Sequence, residues 1–593
     1  MSHTFHIPVL GLGFSIDTPL KVARYGISSV MSIVDDELTE RMREYHCRQN
    51  NLHYKHIHKN EADHRAKRIT AYLNLVKQLA DAQFEKLKKQ EFKAGTDITR
   101  YFELLPDTSQ LKQGYDLMME FPEGEGKTIF ENILRRKMVQ GAIDVNIMAK
   151  VDKMNFDADG NYTGDDHTDA IAALRGFADS DLSSSVVLSA GMNPKLYSYL
   201  EHCADFFPDQ DGNIKKKVIL KVSDFRSAFI QAKFLAKKGL WVSEFRIESG
   251  LNCGGHAFAT EGYLLGPILE EFKLRRASMQ TELFEMIRTA LTAKSIDMDI
   301  APTQRITVQG GIGTAEENNF LMSYYQLDGT GWGSPFLLVP EATNVDNHTL
   351  EKLAASTEND YYTSNASPLG VLFNNFRGST IEDMRLQRID KGRPGSPCTK
   401  KFLLTNTEFT EKPICTASRE YQRLKIAELD SQAITSEAYE HKLTEITEKI
   451  CLCEGLCASA YLKYDIIKPK ESTAVAVCPG PNLAYFNKVH SLDEMIGHIY
   501  GKINLLQHTQ RPHMFLKELQ LYTQYWLNDM KRNIVEVTDK KKVQLHKFKE
   551  QLLSGISYYQ NLFQDNHILL AELENYLNQL KESLLPNLAN YEH

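Results

Sequence analysis

The sequence predicts an α/β fold, a (β/α)8 barrel of the TIM type. Three observations lead to it. From residue 141 onward, short apolar β-compatible runs alternate with helix-compatible segments, the rhythm of a parallel sheet. The run in 242–258, VSEFRIESGLNCGGHAF, ends in Gly254-Gly255 followed by His256. It delivers a titratable side chain just past a strand end, where parallel folds build their sites. The next two strands also end in glycine-rich turns, Gly310-Gly311-Ile312-Gly313 and the segment holding Gly329, Gly331 and Gly333. The number of units and the absence of a dinucleotide fingerprint favour a barrel over an open sheet.

In chain order, Pro8-Val9-Leu10 leads through Gly11 and Gly13 to a helix starting near Pro19 and ending at Gly26, and 27–34 (ISSVMSIV) is the next strand. Ile16 stands where a third fingerprint glycine would be needed. Residues 35–140 are a long insertion with an amphipathic helix over about 63–90, set by Ile69, Leu73, Val76, Leu79 and Leu87. Its His53, His56, His58 and His64 match no ligand spacing and sit among Lys, Asn, Arg and Glu, as a solvated surface does. Gly126-Lys127-Thr128 ends like a P-loop, but Phe121 holds the place of its first glycine. Strands follow at 142–151, 184–191 and 216–223, with helices at 167–178, 194–207 and 225–238. Asp157, Asp159 and Asn161 imitate a calcium loop, yet Tyr162 replaces its glycine, so a surface turn is expected. Helices are expected at 261–274 and 279–293, then the strand from 306 and its successor. Beyond about 345 the rhythm stops. The segment 364–379 reads as a structured loop near the site, and from about 415 the chain turns helical, with a capping box at 491–494 (SLDE).

With 593 residues, the chain is long enough for more than one domain, read as a barrel over 1–400 and a mostly helical region over 401–593. Hydrophobic residues at 42% and charged residues at 25% fit a globular protein. No apolar run reaches the ~18–20 residues that span a bilayer. The N-terminal MSHTFHIPVLGLGFS has no basic region before an apolar core, so a cytoplasmic location is expected. The net charge of −8 gives no field that attracts nucleic acid or an anionic membrane. The expected partners are a small-molecule substrate and a second copy of the chain through the C-terminal helices. Nine scattered cysteines read as thiols. For Cys451, Cys453 and Cys457, flanked by Cys415 and Cys478, a metal site stands below free thiols in a helical core, since the spacing fits no zinc or iron–sulfur set.

Two glycine turns after consecutive late strands are what a phosphate at a barrel mouth requires, because backbone amides must converge on it without side chains in the way. At this point the chain resembles the nitronate monooxygenase (2-nitropropane dioxygenase) type of FMN barrel, which also includes flavin-dependent enoyl-ACP reductases. The family's QGxEAGGH is similar to Ser249-Gly250-Leu251-Asn252-Cys253-Gly254-Gly255-His256. Its GGI turn is similar to Gly310-Gly311-Ile312, its GT-x-F turn to Gly333-Ser334-Pro335-Phe336, and its VN strand to Val145-Asn146. The likeness covers roughly 5–340 in segments, without the insertion.

The resemblance implies FMN across the strand ends, its phosphate on Gly310, Gly311, Gly333 and Ser334 and its ring against Asn146. Gly11, Gly13, Lys221 and Ser249 complete the candidate cofactor contacts. His256 is the implied active-site histidine, either abstracting a proton α to an activating group or polarising an oxyanion. Lys221 has two readings, a partner for reduced flavin or the ion-pair partner of a core carboxylate such as Glu248. Cys253 likewise reads as redox-active or as a small packing residue. Ser249, Asn252 and Cys253 depart from the family's Gln, Glu and Ala at the flavin and substrate edge. The resemblance therefore implies the cofactor more strongly than the substrate. The first functional reading is oxidation of a small activated carbon acid. The alternatives are an NAD(P)H-dependent enoyl-thioester reductase, and a non-catalytic flavin-barrel binding or assembly module.

Overall fold

The computed structural model describes residues 3–157, 159–189, 191–209, 211–532 and 538–588. Its strands in chain order are β1 (Phe5–Ile7), β2 (Ser28–Ser32), β3 (Ile143–Met148), β4 (Ser185–Ser189), β5 (Lys217–Val222), β6 (Val242–Glu248), β7 (His256–Ala257), β8 (Arg305–Gln309), β9 (Gly329–Gly331), β10 (Tyr361–Ser364) and β11 (Leu372–Phe376). Eight of them, β1 to β6 with β8 and β9, close into a barrel in which every neighbouring pair is parallel, β9 returning to β1. The expected (β/α)8 fold is present.

The two-residue period of a strand sorts its side chains between barrel interior and helix layer. In β6, Phe245 meets Phe272 of the helix Leu265–Thr292, with ring centroids 5.9 Å apart. Glu244, Arg246 and Glu248 alternate with it and point inward. The Glu244 carboxylate accepts from Arg246 Nε at 2.9 Å, Arg305 Nη1 at 3.0 Å and Thr307 Oγ1 at 2.7 Å. Burial raises the pKa of Glu244, but Arg246 and Arg305 outweigh it and bring it down to about 2. Val30, Val187 and Ile219 form a small apolar cluster inside the barrel. Late in their strands, Asn146, Lys221, Glu248 and Gln309 make a polar layer at the mouth.

The insertion is helical, and its long helix, His64–Lys88, lies within the predicted span. His53, His56 and His58 are exposed. Three elements differ from expectation. The two expected helices are one, Leu265–Thr292, because nothing between them breaks it, Ser278 Oγ bonding back to the Arg275 carbonyl at 3.0 Å; it starts at Leu265 and not at 261, since Glu261 is left-handed (φ 53°) in a separate short turn. The predicted helix 194–207 stops at Tyr199 and continues as two short 3₁₀ turns. The segment 364–379 includes β11, which pairs antiparallel with both β10 and β7 over the mouth.

The C-terminal region packs onto the barrel. One contiguous hydrophobic core runs from Phe5 to Leu573. Helix Leu452–Lys463 seats against Gly13, whose amide donates to the Leu456 carbonyl at 2.8 Å. The capping box forms as expected, Ser491 Oγ accepting from Glu494 N at 3.1 Å and Glu494 Oε2 from Ser491 N at 2.8 Å. Helices Met514–Arg532, Asp539–Leu562 and His567–Leu588 complete the chain. Among the described residues, no helix is long and apolar enough to cross a membrane.

Candidate active site

A cavity of about 690 Å³ opens at the C-terminal mouth of the barrel, within the ~300–1,000 Å³ usual for ligand pockets. Eight of the ten residues expected at a site line it: Gly11, Asn146, Lys221, His256, Gly310, Gly311, Gly333 and Ser334. The other two face elsewhere. Gly13 leaves room for helix Leu452–Lys463, since a Cβ there would stand 3.0 Å from Ala460 Cβ and 3.1 Å from the Cys457 carbonyl oxygen. Ser249 turns its hydroxyl to Glu518 of helix Met514–Arg532. Both glycine and serine thus serve contacts with C-terminal helices that the sequence pattern does not register.

At the barrel axis Lys221 Nζ lies 2.8 Å from Glu248 Oε2, the ion pair of the second reading. Gln309 Nε2 donates to Glu248 Oε1 at 2.9 Å. Asn146 Oδ1 is left buried without a hydrogen-bond partner among the described residues, and Gln309 Oε1 has only the buried His6 ring beside it, too loosely placed for a full hydrogen bond. An under-paired buried acceptor is costly, so two on one cavity wall fit a ligand that brings N–H or O–H donors.

The glycine turns form the other wall. The amides of Gly311, Ile312, Gly333 and Ser334 show no acceptor among the described residues, while the Gln309–Gly331 pairing turns the Gly310 amide toward β9. Gly310 (φ 107°) and Gly311 (φ 79°) are left-handed. A Cβ on Gly310 would lie 2.4 Å from Cys253 Sγ, and one on Gly311 2.1 Å from Asn252 Nδ2. The glycines therefore admit the 249–253 loop behind them while the turn offers amides to the cavity. Unpaired amides on one wall are the chemistry that a bound anion would need. Ser334 Oγ accepts from Gly480 N at 2.7 Å and keeps its own proton to donate.

His256 sits in β7, one residue after Gly255, which has φ 81° and open space where a Cβ would point. Gly254 serves a different need: a Cβ there would meet the Cys478 carbonyl oxygen at 2.6 Å. His256 Nε2 lies 2.7 Å from Ser367 Oγ, and its ring stands edge-on to Phe373 at 5.1 Å. Ser367 Oγ also accepts from Leu369 N at 3.2 Å. Burial, and then the charge of Lys221, lower the His256 pKa to about 4, so the imidazole is neutral near pH 7. Cys253 is buried against the Gln309 carbonyl, and burial pushes its thiol pKa well up, which suits packing. On the outer rim, Thr260 (φ 31°) and Glu261 (φ 53°) are consecutive left-handed non-glycine residues, a strained arrangement that clusters at functional sites.

Gln309 and Asn482 also line the cavity, and Ser367 and Arg511 hold His256 and the Gly311 carbonyl from outside it; all four escaped the sequence reading. Only Ser367 had a signal, lying in the segment expected to shape the site. Among the described residues, no cluster of His, Cys, Asp and Glu is arranged to hold a metal ion.

No protein-family model and no curated protein matches the chain. Solved structures similar to it include FabK from Thermotoga maritima, 13% identical over 66% of this chain and 82% of that one, TM-score 0.31. Another is the enoyl reductase domain of MlnA from the macrolactin biosynthesis cluster of Bacillus amyloliquefaciens, 14% identical over 73% and 87%, TM-score 0.33. A third is nitroalkane oxidase from Streptomyces ansochromogenes, 10% identical over 64% and 84%, TM-score 0.28. The fold rests on the closed barrel itself, and the site on its own geometry.

Proposed function

We propose that the cavity binds FMN and that the chain is an FMN-dependent oxidoreductase acting on a small substrate with an activated carbon–hydrogen bond. One observation carries the reading: a single cavity joins the unpaired amides of two glycine turns to the under-paired amide oxygens of Asn146 and Gln309. The amides suit a phosphate, and the oxygens suit the ring N–H of a flavin. Gly311, Gly333 and Ser334 would hold the phosphate, and Asn146 and Gln309 the polar edge of the ring. FMN, when bound, supplies a two-electron acceptor or donor.

The protein's own contribution is placement and charge. Lys221 brings a positive charge to the barrel axis, steadied by Glu248. His256, neutral and tied to Ser367 through Nε2, has Nδ1 left for a ligand. A base with a pKa near 4 is poorly matched to proton abstraction at neutral pH. Polarising the oxyanion of the activating group is the role that suits it. Oxygen uptake with an alkyl nitronate tests the reading.

An NAD(P)H-dependent reductase of enoyl thioesters is the second reading. It is favoured by the outer cavity wall, where Phe258, Leu545 and Phe548 offer apolar surface beyond the polar layer. NAD(P)H oxidation driven by an enoyl thioester, without oxygen uptake on nitronate, would select it.

A further inference from the structure

The C-terminal region reaches behind the first glycine turn and fixes its peptide planes. Arg511 is the centre of this contact. Its guanidinium donates to the Gly311 carbonyl, to Asn482 Oδ1 at 2.7 Å and to Glu317 Oε1 at 2.7 Å. Its side chain is 6% exposed and that of Glu317 4%, so the pair is desolvated and its geometry is strongly held. Glu317 Oε2 in turn accepts from Gly313 N at 2.8 Å. Asn482 Nδ2 donates to the Ile312 carbonyl at 2.8 Å. A Cβ on Gly313 would stand 2.5 Å from the guanidinium carbon, so only glycine admits Arg511 there.

Every peptide bond described is trans. In a trans peptide the C=O and the following N–H point in opposite directions. Arg511 holds the Gly311 carbonyl on the outer side of the turn, so the Ile312 N–H points the other way, toward the cavity that Ile312 lines. Asn482 takes the next carbonyl, that of Ile312, and Glu317 the N–H on Gly313, so this second peptide is fixed in place but offers no amide to the cavity. The Gln309 carbonyl is held separately by Ser249 N at 3.2 Å and Cys253 Sγ at 3.5 Å, so the peptide that depends on Arg511 is Gly311–Ile312, which without it could turn about the flexible Gly311 and bring its carbonyl inward. Carbonyls facing in would repel an anion.

We propose that Arg511, with Asn482, is a positioning element for the anion-binding turn: the C-terminal region completes the phosphate end of a site whose other parts belong to the barrel. This rests on the FMN reading above. The test is the affinity of the full-length apoprotein for FMN and for riboflavin, read by flavin fluorescence quenching, in wild type, Arg511→Lys and Asn482→Ala. Riboflavin shares the ring and lacks the phosphate. Arg511→Lys keeps the charge beside Glu317 but loses the fork, and Asn482→Ala leaves the ion pair whole should the lysine variant not fold. Loss of one aligned bond to a charged group predicts roughly 10–100-fold weaker FMN binding, with riboflavin affinity unchanged. Parallel losses for both flavins would show a merely structural role and overturn the proposal, as would FMN affinity unchanged in both variants. A wild-type protein that binds FMN but no better than riboflavin also overturns it, whereas one that binds neither flavin removes the cofactor reading itself and the proposal with it.

Discussion

Replacing His256 by alanine tests the chemistry and the electrostatics together. The imidazole is neutral because burial, and then Lys221, bring its pKa from 6.5 to about 4. If it donates to a developing oxyanion in a water-poor site, its loss costs about 10²–10³ in kcat, while FMN affinity stays, because the glycine turns are untouched. The wild-type kcat profile should carry no limb near pH 6.5 from this group and should fall only as pH drops toward 4. The same shift bears on stability. As pH falls below 6.5 the unfolded chain takes up a proton on this histidine that the folded chain refuses until about 4. The native state therefore loses up to roughly 3 kcal/mol across that window, and nothing above it. Urea denaturation at pH 7 and pH 4.5 should show a smaller acid loss for His256→Ala than for wild type. A limb near 6.5 that disappears in the variant would refute the burial argument, and an unchanged kcat would remove His256 from the reaction.

Glu518 behaves in the opposite sense. Burial raises its pKa to about 7 despite bonds from Ser249, Leu265 N and Tyr559. The folded state holds its proton more tightly than the unfolded one, so this contribution is complete below pH 4.5 and is lost as pH rises through 7, by roughly 3 kcal/mol. Glu518→Gln should be flatter than wild type in urea melts at pH 5 and pH 8, and an unchanged slope would contradict the assignment. Gly255→Ala meets open space and pays only for its positive φ, about 1 kcal/mol. Gly254→Ala would collide with the Cys478 carbonyl and should lower the melting temperature further; equal losses would show that the 478–480 segment is not held there. Ser367→Ala frees Nε2 of His256 and should lower kcat with FMN affinity kept, Ser367→Thr restoring part of it; equal kcat in both variants and wild type would make the bond incidental.

The barrel was legible because its strands are short, apolar and bounded by glycine, a local pattern. Asn146, Lys221, His256, Gly310, Gly311, Gly333 and Ser334 all line the mouth cavity; their places near strand ends are a local feature, whereas the cofactor roles assigned to them came from the family resemblance and not from the local pattern. What escaped depends on distant pairing. Nothing around Ser249 says that its hydroxyl will meet Glu518, 269 positions away. Nothing near Gly13 announces helix Leu452–Lys463. The β10–β11 hairpin was read as loop because its strands are polar, with Asn374 and Asn375 inside β11, and its partner β7 is only two residues long. Arg511 lies in RPH, a segment with no motif, and acquires its place only when the C-terminal region folds against the turn.

The cofactor claim is tested most directly by titrating the purified apoprotein with FMN and following flavin fluorescence and the visible flavin band. The account predicts saturable binding of one FMN per chain, weakened by substituting Gly311 or Ser334 and much weaker for riboflavin. A protein that carries no flavin band as purified and takes up no FMN would contradict it, leaving the barrel as a binding or assembly module.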